Sequence, residues 1–149
     1  MPIPELTAAG LLPEGEHPAS WTEFYHRFAQ NAHRAALMEK LAEAGRMLRE
    51  AGCTRLWING SLVTDKAYPN DVDVLYNARE VRPARLAPAF RDQATRRAVY
   101  GGDYLAVDMD HHDASHPTGL MKFFQTDRDG QAKGIIVLSL STIPDKREA

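Results

Sequence analysis

At 149 residues, with 44% hydrophobic residues and 26% charged ones, the chain has the size and composition of one globular domain with a core of its own. A net charge of −2 excludes an overall basic surface of the kind that grips nucleic acid without sequence preference, although a local patch stays open. Its single cysteine, Cys53, cannot close an intramolecular disulfide, as expected of a protein in a reducing cytoplasm.

The chain starts MPIPELTAAG, without the basic residues and apolar run of an export signal. No later segment has the apolar length to cross a bilayer, so a cytoplasmic protein with no membrane contact is the expectation. Residues 1–19 hold Pro2, Pro4, Gly10, Pro13, Gly15 and Pro18, a composition that predicts an extended arm ahead of a domain over residues 20–141. Ser20 and Glu23 form a capping box that opens a helix. Leu37, Leu41, Ala44 and Leu48 continue one apolar face, with a break expected near Asn31 and termination at Gly52. Strands are expected over residues 54–59 and 71–76, with Leu56 and Ile58 on one face of the first and Trp57 on the other. Pro88 to Ala98 reads as a helix, broken by Gly101-Gly102. A third strand is expected from Tyr104 to Asp110, a short helix from Thr118 to Phe124, a turn at residues 127–130, and a last strand from Lys133 to Leu140. The remainder, residues 142–149, is polar and expected to be loose. Helix first, then strands with a helix between them, predicts an α+β domain with a mixed sheet and flanking helices.

The stretch WINGSLVTDKAYPNDVDVLY, residues 57–76, carries chemistry. Aspartate is a poor strand former, yet Asp71 and Asp73 stand in a run of Val72, Val74, Leu75 and Tyr76. Two apart on a strand, they face the same way, and adjacent carboxylates repel unless a cation lies between them. Hard oxygen ligands favour Mg²⁺ or Mn²⁺, which also accept phosphate oxygens. Gly60-Ser61, closing the preceding strand, offers a phosphate close backbone approach, N–H donors and a hydroxyl. The plainer reading is a turn after Pro69 that carries two surface aspartates.

At these residues the sequence resembles the nucleotidyltransferase superfamily of DNA polymerase β-like fold. The superfamily's signature is Gly-Ser, a spacer of nine to twelve residues, then Asp-x-Asp. Here nine residues separate Gly60-Ser61 from Asp71-Val72-Asp73. The chain is similar over nearly its whole length to a group of small bacterial proteins that share G-S-x-V-T-x-K-x-x-P-N-D-x-D (here Gly60 to Asp73). They share also the arm motif of Ile3 to His17 and F-F-Q-x-D-R-D-G-x-x-K-G-I (here Phe123 to Ile135).

The resemblance implies a minimal nucleotidyltransferase fold that binds an NTP through Gly60 and Ser61 and ligates metal through Asp71 and Asp73. A third carboxylate belongs on a later strand. Asp108 is the preferred candidate and Asp110 the alternative. The superfamily usually follows Gly-Ser with a small residue, an arginine and a glycine. This chain has Leu62-Val63-Thr64-Asp65-Lys66, leaving Lys66 as a candidate phosphate contact; Lys133 reads either as a contact to nucleotide phosphate or an acidic partner, or as an exposed lysine at a strand start after the Asp129-Gly130 turn. The implied reaction moves a nucleotidyl group to a hydroxyl acceptor on a protein or RNA, within a toxin–antitoxin or defence pair whose partner is a cognate toxin or antitoxin. The alternative is a catalytically silent fold acting as an antitoxin, binding module or nucleotide sensor.

Other clusters carry weaker signals. Asp108, Asp110, His111, His112 and His116 read either as metal ligands or as solvated loop residues. Arg91, Arg96 and Arg97 read either as a basic face or as an ordinary helix surface.

Overall fold

The computed structural model describes residues 3–108 and 134–145. Its strands are β1 (Gly15–Ala19), β2 (Arg55–Asn59), β3 (Val72–Asn77), β4 (Gly102–Val107) and β5 (Gly134–Ser139). Its helices are α1 (Trp21–Phe28), α2 (Ala32–Glu50), α3 (Pro88–Arg91) and α4 (Gln93–Tyr100). The strands form one mixed sheet in the order β1-β5-β2-β3-β4. β5 runs parallel to β1, β2 is antiparallel to both β5 and β3, and β4 is parallel to β3. The expected α+β class with a mixed sheet and flanking helices is what the chain adopts.

Local chemistry explains most of the boundaries. The Ser20 side chain accepts from the Glu23 amide while Glu23 reaches back to the Ser20 amide, so the capping box is real. Asn31 interrupts the helical run and caps α2 through the Arg34 amide, the break expected from sequence. The helix expected as one piece from residue 88 to 98 is two. Asp92 is extended and accepts from both the amide and the hydroxyl of Thr95, because an aspartate that can cap a new turn competes with continuing the old one.

Both chain ends are tied into the domain. The last five residues of the supposed arm, Gly15–Ala19, are an edge strand. Pro18 is tolerated there because an edge strand need not donate on its open side. The supposed loose tail is docked as far as residue 145. Ile143 is buried, Arg46 donates to the Pro144 carbonyl, and Arg49 donates to the Leu140 and Ile143 carbonyls and pairs with Asp145. The expected Thr118–Phe124 helix and the turn at 127–130 lie outside the described residues.

All four helices place side chains in one cluster against one face of the sheet. Phe24, Phe28, Leu41, Leu48, Phe90 and Tyr100 meet Leu56, Ile58, Val72, Val74, Tyr76 and Tyr104 there. Strand alternation sends the intervening residues to the opposite face, where Trp57, Leu75 and Ile135 form a smaller cluster with Val107 and Val137. Asp73 lies on that second face, in step with Leu75.

Candidate functional site

The second face carries the chemistry at the end of the sheet where β2 stops and β3 and β4 begin. Asp71 and Asp73 are two apart and project together, as expected. The parallel β3–β4 register sets Asp73 beside Asp103, just as it sets Val72 beside Gly102 and Leu75 beside Leu105. Carboxylate oxygens of Asp71, Asp73 and Asp103 lie within 4.8 Å of one another.

The glycines on either side explain how so many carboxylates come so close. Gly102 packs so tightly on β3 that a Cβ there would lie 1.8 Å from the Val72 carbonyl oxygen. Any larger residue would push β4, and Asp103 with it, off β3. Gly60 has φ +89°, and a Cβ on it would stand 3.0 Å from Asp73 Oδ2 and 3.3 Å from the Asp73 amide nitrogen. The Gly60-Ser61 backbone thus passes directly beside the Asp73 carboxylate, and Ser61 opens a single 3-10 turn, Ser61–Val63. Closest approach of backbone to carboxylate requires glycine at this point.

Arg97, in the last turn of α4, reaches over the cluster. It holds Asp103 with both arms of its guanidinium, Nε to Oδ1 and Nη2 to Oδ2 at 2.9 Å each, and its Nη2 stands 3.5 Å from Asp71 Oδ2. These hydrogen bonds, ahead of the positive charge itself, hold the Asp103 carboxyl below the usual aspartate range, and Asp103 in turn raises the Arg97 guanidinium. Asn59 lies opposite Asp73 across β2 and β3 and so shares its face. Asn59 is buried at 5% exposure, and its Oδ1 accepts no hydrogen bond.

The donor set fits a hard divalent cation. Three carboxylates match the all-oxygen preference of Mg²⁺ or Mn²⁺, and the unpartnered Asn59 Oδ1 lies on the same face, across from Asp73.

Among the described residues, the carboxylate that joins Asp71 and Asp73 is Asp103 and not the preferred Asp108. Asp108 follows β4 and its carboxylate is held by Arg79 Nε at 3.0 and 3.1 Å. It lies five residues past Asp103, roughly 16 Å further along the strand direction at about 3.3 Å per residue. It is also out of step with Asp103 in the alternation. Asp103 escaped notice because β4 starts at Gly102, two residues before the apolar run that suggested the strand. Asp103, Leu105 and Val107 are the alternation that would have found it.

Lys66 is elsewhere as well. It lines a cavity of about 260 Å³ with Leu6, Arg27, Asn31, Arg34 and Asp65, and none of the three clustered carboxylates borders that cavity. Lys133, Asp110 and the histidines at 111, 112 and 116 lie outside the described residues.

The loop between Ser61 and Asp71 is held from behind by the start of α2. Arg34, only 3% exposed, donates Nε to the Phe28 carbonyl at 2.6 Å and its two terminal nitrogens to the carbonyls of Leu62, Thr64 and Lys66. Burial lowers the Arg34 pKa, the Asp65 charge opposing that effect. Asn31 donates to the Ala67 carbonyl, and His33 Nε2 contacts the Pro69 carbonyl oxygen. On the outer side the arm closes in, with the Asp65 amide donating to the Gly10 carbonyl.

A family profile described as "Family of unknown function (DUF6932)" matches residues 4–139. The chain belongs to this family. The match takes in most of the arm, the Gly60-Ser61 turn, all three clustered aspartates and β5. No curated protein and no solved structure shows significant similarity to the chain. No described helix is long and apolar enough to cross a membrane.

Proposed function

We propose that this chain is a metal-dependent nucleotidyltransferase that moves a nucleotidyl group from an NTP to a hydroxyl acceptor on a protein or RNA. The observation that carries the reading is the meeting of Asp71, Asp73 and Asp103 on two neighbouring strands, beside the close-packed Gly60-Ser61 turn. Mg²⁺ or Mn²⁺ bound there would neutralise the triphosphate and favour ionisation of the acceptor hydroxyl.

The chain's own residues divide the remaining work. Asp71 and Asp73 supply ligand oxygens fixed by one strand's geometry. Asp103 completes the set from the neighbouring strand, which the parallel register sets beside Asp73. Gly60 lets the backbone meet phosphate at close range, and Ser61 adds a hydroxyl. A cognate toxin or antitoxin as acceptor or partner follows from analogy with stand-alone domains of the resembled superfamily.

A second reading, a catalytically silent fold that serves as an antitoxin, binding module or nucleotide sensor, is favoured by one observation. Arg97 already neutralises Asp103 from within the chain. Incubation with α-labelled NTPs and Mg²⁺ or Mn²⁺, in the presence of RNA and protein acceptors, separates the two. Transfer that falls at least about a hundredfold in Asp71→Asn, Asp73→Asn and Asp103→Asn, but not in Asp108→Asn, is the expected result. Metal-dependent NTP binding without transfer would establish the silent reading. Absence of both, with wild type and variants alike, would overturn the proposal.

A further inference from the structure

The acidic cluster already contains a cation of the protein's own. Arg97 grips both oxygens of Asp103 and reaches towards Asp71, so it lies where a divalent ion would have to coordinate. Two cations cannot share the same carboxylate oxygens without strong mutual repulsion. The guanidinium is half exposed, so leaving the cluster costs it little desolvation. An independent feature says that something else belongs there. Asn59 Oδ1, buried on the same face beside Asp73, has no donor, and a buried acceptor of this kind is costly to leave unmet. Arg97 does not satisfy it. A cation ligated by Asp73 would.

The loop after Gly60-Ser61 adds a third consideration. The residues there are Leu62, Val63 and Thr64, and the carbonyls of Leu62 and Thr64 are committed to Arg34. The Gly60-Ser61 turn therefore has no cationic side chain among the three residues that follow it, whereas Arg97 stands at the rim of the acids with a planar fork that suits a phosphate as well as a carboxylate.

We propose, on the metal-site reading above, that Arg97 exchanges partners: it balances Asp103 and Asp71 in the metal-free protein, yields them to a divalent cation, and then binds the phosphate oxygens of the polyphosphate that the ion brings in. One arginine serves as stand-in for the metal and as contact for the substrate. The exchange links the two ligands, because the ion releases the group that receives the phosphate.

The test is calorimetric titration of the full chain with Mn²⁺, then titration of the Mn²⁺-loaded chain with inorganic pyrophosphate. Wild type, Arg97→Gln, Arg97→Lys and Asp103→Asn are compared, with thermal melting to confirm folding. Arg97→Gln should bind Mn²⁺ about tenfold more tightly, the loss of one positive charge some 5 Å from the ion, yet bind pyrophosphate about tenfold more weakly. Arg97→Lys, which keeps the charge, should stay close to wild type for Mn²⁺. A merely structural Arg97 would weaken both steps. Mn²⁺ affinity unchanged or reduced in Arg97→Gln overturns the exchange. So does tighter Mn²⁺ binding with unaltered pyrophosphate affinity. Wild-type Mn²⁺ binding that is lost in Asp103→Asn leaves the metal site standing in either case, whereas no Mn²⁺ binding by wild type or by Arg97→Gln removes both the site and the exchange.

Discussion

Replacing Arg34 by methionine should unfold the candidate site from behind without touching it. Methionine fills much of the same space and keeps the apolar stem, so the perturbation is the guanidinium itself. Four carbonyls then lose their donor: Phe28, Leu62, Thr64 and Lys66. The bonds to Thr64 and Lys66 are only partly buried, so water can replace them at small cost. Those to Phe28 and Leu62 are buried, and each acceptor left without a donor costs about 1–3 kcal/mol. With loss of charge-assisted bonding at the other two, the expected destabilisation is about 3–5 kcal/mol, a large share of the roughly 5–15 kcal/mol that holds a domain folded. For a chain of this size that is a fall in Tm of roughly 6–20 °C. Urea unfolding followed by the fluorescence of buried Trp21 and Trp57 measures it directly. Arg34→Lys, with one ammonium facing four carbonyls, should fall between wild type and Arg34→Met. A loss below about 1 kcal/mol for Arg34→Met, with an unchanged urea dependence, would refute the idea that this side chain supports the loop.

Three further outcomes are expected. Gly60→Ala forces a side chain into positive φ and against Asp73 Oδ2, so it should cost about 1–2 kcal/mol in thermal or urea unfolding and lower Mn²⁺ affinity together, a link that calorimetry checks. Asp103 has a folded-state pKa below its unfolded value, chiefly because Arg97 donates to it, so its contribution is present above the unfolded carboxylate pKa of about 4 and is lost as pH falls through the folded value. Wild type should therefore lose more stability than Asp103→Asn when urea unfolding is repeated from pH 6 down to pH 3. Cys53 is buried, and that burial, aided by the Glu80 charge, pushes its thiol up to about 12. Native protein should resist alkylation by iodoacetamide at pH 8 and react fully in urea, and fast labelling of the native state would show that the thiol is not buried.

Local chemistry made much of the molecule legible in advance. The capping box at Ser20, the cap at Asn31 and the break at Gly101 depend on neighbours within four residues, so they can be read from the chain alone. The paired projection of Asp71 and Asp73 is likewise a property of one strand's two-residue period. The same locality explains the errors. Apolar alternation drew the third strand towards Asp110 and made Asp108 look like the third acid. Which residue of β4 sits beside Asp73 is a matter of register between two strands about thirty residues apart, and it is set by Gly102 packing onto Val72. Arg97 read as one of three exposed arginines because nothing within a turn of it reveals an acid. Its partners come from the start of β3 and the second residue of β4. Pro18 and the arm's composition spoke for extended chain, and only the arrival of β5 turned that extension into a strand. The sequence by itself determined the capped ends of the first two helices and one strand's pair of carboxylates, through interactions a few residues long. The tertiary structure alone decided the third carboxylate, its arginine and the orphaned Asn59 oxygen, because each depends on which strands become neighbours and in what register.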